Sequence, residues 1–195
     1  MNWQIFMCLL SRAKGGLKRA VLQVLVLEII LWVFGSRISG SVGGVLFDPA
    51  SQCLRFSDSG EEVPPHIMCD LFARSKNPIH ELEVLPVFVA ALLWGEANAC
   101  SQVVYYIDNE SSRMAYIRGD GETTRSSALI QSFVETEAKL QHRVWFGRVP
   151  SCSNPADGPC RLSFSEVMEL GATRTKINWE EVSPHLGSGA ETGRC

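Results

Sequence analysis

The chain has 195 residues, 46% of them apolar and 20% charged, with a formal net charge of −3 from 18 basic and 21 acidic side chains. That length suits one domain with extensions and a real core, and the composition is neither disordered nor plainly that of a membrane protein. No global positive field draws the chain to a polyanion, so nucleic-acid binding would rest on a local basic face or on metal ions.

Arg12, Lys14, Lys18 and Arg19 precede a strongly apolar run, AVLQVLVLEIILWVFG, at 20–35. Basic residues followed by apolar ones is the order of a signal anchor. The run is shorter than the roughly 20 residues a spanning helix needs, and Gln23 and Glu28 interrupt it. A buried strand or helix of the domain is the preferred reading. A membrane anchor and a start foreign to the domain stay open.

GSRISGSVGG at 35–44 reads as a loop of glycine and serine. Val42–Phe47 then reads as a strand, Asp48 to Ser51 as a tight turn, and Gln52–Ser57 as the returning strand of a hairpin. Residues 59–78 read as irregular, with a short helix or strand at His66–Ala73. From Ile79 the period becomes helical, with Leu82, Leu85, Val89, Leu92 and Leu93 on one stripe. Glu81 and Glu83 fall in its first turn, where the helix dipole favours negative charge. Pro86 is tolerated only near a helix start, which predicts a kink or a late start.

Val103-Val104-Tyr105-Tyr106-Ile107 has the β-branched and aromatic character of a strand buried on both faces, within a predicted strand Gln102–Asp108. Ser111–Ile117 reads as a short helix stopped by Gly119-Asp120-Gly121. Thr123–Gln141 reads as a longer one with Leu129, Phe133 and Leu140 inward. Arg143–Val149 is a further strand, leading into PSCSNPADGPCR. Two weak helical patterns, at 164–170 and 177–186, precede a flexible GSGAETGRC. The 7 cysteines are odd in number, scattered and without zinc spacing, as expected of reduced, mostly buried thiols in an intracellular protein. The order of elements predicts an α/β domain: a mixed sheet flanked by helices, an apolar N-terminal segment and a weakly helical C-terminal tail.

In such a sheet, sites form at the carboxyl ends of strands and at nearby helix starts. Glu83 on the helix, Asp108 at a strand end and Asp157 in NPADGP are the acids in suitable places. Three carboxylates gathered at one rim would bind two hard cations, which activate a water and stabilise the leaving oxygen in phosphodiester cleavage. Taken singly, each acid is equally explained as a first-turn residue, a helix cap or a turn residue.

Four segments in order, SVGGVLFDP (41–49), ELEVLPVFVAALLW (81–94), VVYYIDNESSRMAYIRG (103–119) and VWFGRVPSCSNPADGPCR (144–161), resemble the ribonuclease H-like domains attached to retroelement reverse transcriptases. The resemblance spans 35–162, which divides the chain into 1–34, 35–162 and 163–195. It implies a ribonuclease H-like fold in which Glu83, Asp108 and Asp157 hold Mg²⁺ and are the catalytic acids. Asn109 and Arg113 would face the substrate backbone, and Arg118, Arg148 and Arg161 would contact phosphates. Members of that family cleave the RNA strand of an RNA–DNA hybrid.

One departure weighs against activity. The family's first strand carries an aspartate that bridges both ions, and the corresponding stretch here is Trp32-Val33-Phe34-Gly35-Ser36-Arg37. Asp48 belongs to the turn at the far end of the next strand, and Glu28 would need a shifted register. The preferred expectation is therefore a nucleic-acid-binding domain of retroelement origin with a degenerate two-metal site. An active two-Mg²⁺ endonuclease is the alternative, and a membrane-anchored protein the third. The expected partners are an RNA–DNA hybrid or another nucleic acid, and a reverse transcriptase domain in a longer polyprotein. The start of the chain, lacking an upstream polymerase, reads as that of a fragment located in cytoplasm or nucleus.

Overall fold

In the computed structural model the described residues are 28–36, 41–58, 63–74 and 78–186. The strands are β1 (Glu28–Ser36), β2 (Ser41–Asp48), β3 (Cys53–Asp58), β4 (Gln102–Ile107), β5 (Arg143–Arg148) and β6 (Thr173–Lys176). They form one mixed sheet in the order β5-β4-β1-β2-β3-β6. β1, β2 and β3 are an antiparallel meander; β4 runs parallel to β1, β5 to β4, and β6 to β3.

The apolar run expected as a strand, helix or anchor contributes β1, which is hydrogen-bonded on both sides in the middle of the sheet. Leu31 and Val33 are buried there; residues 20–27 lie outside the described residues. Among the described residues no helix is long and apolar enough to cross a membrane.

The glycine loop expected at 35–44 is a correction. β1 runs to Ser36 and β2 begins at Ser41, so only 37–40 lie between the strands. Gly43 and Gly44 are strand residues with close neighbours, which leave no room for a side chain at Gly43 and little at Gly44. A Cβ on Gly43 would stand 2.6 Å from the Cys160 amide nitrogen, and one on Gly44 3.1 Å from the Trp94 ring. Here glycine marks close approach, not a turn.

The helices are α1 (Pro65–Arg74), α2 (Pro78–Trp94), α3 (Glu110–Arg118), α4 (Thr124–Leu140) and the short α5 (Asp157–Cys160), α6 (Ser165–Glu169) and α7 (Trp179–Val182). Single 3₁₀ turns sit at Glu96–Asn98, Ser151–Ser153 and Ser183–Leu186. Of the kink or late start expected at Pro86, the late start is overturned: α2 begins at Pro78 and continues through Pro86 as one helix. Loss of one N–H bond and the ring's clash cost about 3 kcal/mol. Burial of Leu82, Leu85, Val87, Phe88 and Val89 around it offsets that, at about 1.5–3 kcal/mol per large side chain. The single apolar stripe expected here also proves too narrow, since α2 is buried against the sheet on one side and against α4 on the other.

One face of the sheet packs on α2, α3 and α4, where the rings of Tyr105, Tyr116, Phe133 and Phe146 form a cluster. The other face carries Val45, Phe47 and Phe56 under Ala156 of the α5 turn and Val167 of α6. The C-terminal tail is weakly helical as expected, and it also supplies β6 and sends Val182 and Leu186 into the first core. The described cysteines are all free thiols, but the expectation that they are mostly buried is corrected: Cys160 is buried, whereas Cys69, Cys100 and Cys152 are exposed.

Candidate functional site

β1, β4 and β5 run in the same direction, so their carboxyl ends share one rim. Ile107 stands abreast of Val33 on one side and Arg148 on the other. The residues that follow, Phe34 and Asp108, are therefore neighbours across the β1–β4 pair. Glu28, paired with Gln102, begins β1; six residues of strand, roughly 20 Å, separate it from Asp108. Asp48 lies at the end of β2 opposite Cys53, where it caps its own turn through the Ala50 amide and the Ser51 hydroxyl. Neither acid shares the rim of Asp108.

Asp108 is half-buried, and burial pushes its carboxyl above the usual carboxylate range. The Ser151 hydroxyl and the amides of Asp108 and Asn109 pull the other way, and the charge of Glu83 pushes it up again. Glu83 and Asp108 thus lie within each other's field, one brought by α2 and the other by β4. The Tyr116 hydroxyl ties α3 to α2 by donating to the Val84 carbonyl at 2.9 Å. Glu81, two residues before Glu83, is fully buried and accepts from the Thr123 hydroxyl at 2.7 Å. It is part of the joint between α2 and α4.

The segment after β5 folds back over the rim. Val149 N–H donates to the Ile107 carbonyl at 3.2 Å, and the buried Asn154 side chain donates to the Val33 carbonyl at 3.0 Å. The Asn154 amide oxygen accepts from Ala156 N–H at 3.1 Å, and the Ser41 hydroxyl donates to the Cys160 carbonyl at 2.7 Å. Ala156 and Cys160 are seated on Gly43, the residue paired with Phe34. Asp157 opens α5 at this spot, with its carboxylate on the Arg161 guanidinium at 2.8 Å. Among the described residues, no three His, Cys, Asp or Glu side chains stand close enough to hold a metal ion.

The five residues expected to meet nucleic acid are distributed unevenly. The Asn109 side chain caps α3, accepting from Ser112 N–H at 2.9 Å. Arg113 reaches Glu110 at 2.7 Å and the Phe146 carbonyl at 3.3 Å. Arg148 ends β5, exposed and 3.9 Å from Glu110. Arg161 is exposed beside Asp157. Arg118 lies in the last turn of α3, at the other end of that helix from Asn109. Sequence reasoning missed the roles of Ser151 and Glu110 at the rim. Glu110 follows the Asp-Asn pair directly, which was the one available signal.

No family model and no curated protein matches the chain. Solved structures do. A ribonuclease H1 isolated from compost by a metagenomic approach superposes with a TM-score of 0.52 at 14% identity, covering 73% of this chain and 99% of that one. The fold is ribonuclease H-like. Two further structures are similar over comparable lengths. Ribonuclease H1 of Halobacterium salinarum has a TM-score of 0.46 at 11% identity, covering 71% of this chain and 98% of its own. The N-terminal ribonuclease H domain of a Mycobacterium tuberculosis protein has a TM-score of 0.43 at 14% identity, covering 74% and 99%. In this ribonuclease H-like sheet, the rim holding Asp108 and Phe34 is the carboxyl edge of the central parallel strands.

Proposed function

We propose that this ribonuclease H-like domain binds nucleic acid, an RNA–DNA hybrid in the first place, through a degenerate two-metal site, and that it descends from a reverse transcriptase of a retroelement. The observation that carries the reading is Phe34, one residue beyond Val33 and so beside Asp108 in the β1–β4 register. Hydrolysis by two ions about 3.5–4 Å apart requires ligands that both ions share. A benzyl side chain offers no oxygen, Glu28 begins the same strand at its far end, and the Asp157 carboxylate is engaged by the Arg161 guanidinium at 2.8 Å. Glu83 and Asp108 are left as two carboxylates, a set that suits at most one hard cation such as Mg²⁺. These residues do not fit a two-ion centre, and no hydrolytic step is assigned to them. The exposed Arg148, 3.9 Å from Glu110, supplies positive charge for phosphates at the same rim, and such contacts fix register without reading sequence.

The test uses the full chain and end-labelled RNA–DNA hybrid, DNA duplex and RNA duplex, followed by fluorescence anisotropy across salt, with a parallel cleavage assay in Mg²⁺ and Mn²⁺. The expected result is binding of hybrid that weakens steeply with salt, and hybrid recovered intact. Turnover that disappears in Asp108→Asn would establish an active nuclease instead. Absence of binding to all three duplexes at low salt would remove the nucleic-acid reading.

A further inference from the structure

β5 reads Arg143-Val144-Trp145-Phe146-Gly147-Arg148, and its residues alternate strictly between the two faces of the sheet. Val144 and Phe146 join the first core, which puts Arg143, Trp145 and Gly147 on the opposite face. There Trp145 is 71% exposed, the largest exposure among the large apolar side chains described. A tryptophan left in water is costly at about 25 cal/mol per Å² of apolar area, so a partner that covers it is stabilised accordingly. Beside it on β4, Val104 pairs with Trp145 and Tyr106 with Gly147. Gly147 is required by Tyr106: a Cβ there would stand 2.7 Å from Cε1 and 2.9 Å from Cδ1 of that ring. The Tyr106 ring therefore leans across β5, two residues along the strand from Trp145, about 6.6 Å away in backbone rise.

We propose that this aromatic pair, with Arg143 beside it, is a stacking platform for the unpaired bases of a single-stranded nucleic acid. The inference rests on the nucleic-acid reading above and extends it from the rim onto the sheet face. Three features choose this occupant. On this face β4 and β5 carry Arg143 and no acid, which complements phosphate. Tyr106 lies two residues before Asp108 on the same side of β4, so the platform continues into the rim. The Trp145 ring is open on the sheet, with part-buried Tyr106 beside it, and unpaired bases stack on such surfaces without regard to sequence, whereas paired bases already stack on one another. A strand leaving a hybrid at the rim would run over Trp145 with its phosphates towards Arg143.

The experiment compares wild-type full chain with Trp145→Ala and Trp145→Phe, checked for equal melting temperature. Ligands are labelled oligothymidine, a blunt hybrid and the same hybrid with a single-stranded tail, read by anisotropy, with oligomeric state read by light scattering. Trp145→Ala is expected to bind oligothymidine and the tail extension about tenfold more weakly, with Trp145→Phe close to wild type and the blunt hybrid unaffected. Equal affinity of wild type and Trp145→Ala for oligothymidine would overturn the platform. So would an equal loss on blunt and tailed hybrid, or a change confined to oligomeric state, which would make the face an interface between copies. Oligothymidine separates the two readings: Trp145-dependent binding of it by a chain that ignores every duplex would sustain the platform and sink the hybrid site.

Discussion

Asn154 and Gly43 hold the second half of the rim against the first. Both ends of the Asn154 amide are used, one on the Val33 carbonyl of β1 and one on the Ala156 amide of its own loop. Asn154→Ala leaves a buried carbonyl without a donor, which costs about 1–3 kcal/mol; a lowered melting midpoint in urea checks this. Gly43→Ala forces a methyl onto the Cys160 and Ala156 backbones and is expected to cost about 1–3 kcal/mol by overpacking. The motif around Asn154 was legible in the sequence, but its task was not, because the bond joins residues 121 positions apart. Glu81 and Glu83 show the same limit. Both are first-turn acids on sequence grounds, and only tertiary burial takes Glu81 to Thr123 and leaves Glu83 beside Asp108.

The elements that carried their own local signals were legible. α3 is capped by Asn109 and ended by Gly119 in the left-handed region at φ 73°, and α4 begins at a Thr123–Ser126 capping box. Elements decided by neighbours were less so: the apolar run could be strand or helix, the first residues of β2 looked like loop, and α2 was expected to kink or start late at Pro86. α4 also holds a buried charge that gives a prediction of its own. Glu137 accepts from the Tyr105 hydroxyl at 3.1 Å and faces His142 Nδ1 at 2.8 Å. Burial raises its carboxyl, although His142 and Tyr105 pull it down. A folded-state value above the unfolded one means that the stability this group contributes is fully present below the ordinary carboxylate range. It is lost as pH rises through the raised value. Glu137→Gln keeps an acceptor for Tyr105, so its stability relative to wild type should improve from about pH 4 to about pH 8. Urea unfolding of both proteins across that range is the check, and a gap that does not change with pH would contradict the sign.

At the scale of the molecule, the sheet draws on residues either side of 35–162: β1 begins at 28 and β6 ends at 176. β6 was invisible in the sequence because TRTK is four polar residues whose pairing with β3 depends on the docked tail. Removal of everything after Leu162 would expose Phe56, strip Val182 and Leu186 from the core and cut the Trp94–Thr175 contact. Loss of a cooperative thermal transition in that truncation is expected, and an unchanged melting temperature would show the tail to be an appendage. The described residues thus form a six-stranded ribonuclease H-like sheet with Phe34 at the rim that holds Asp108, the position on which the proposed function turns. Calorimetric titration of Mn²⁺ into wild type and Phe34→Asp, each then tested on RNA–DNA hybrid, addresses that residue most directly. The account predicts no second ion and no cleavage in wild type, and a second ion with measurable cleavage in Phe34→Asp. Two ions bound by the wild type, with hybrid cleaved, would contradict it.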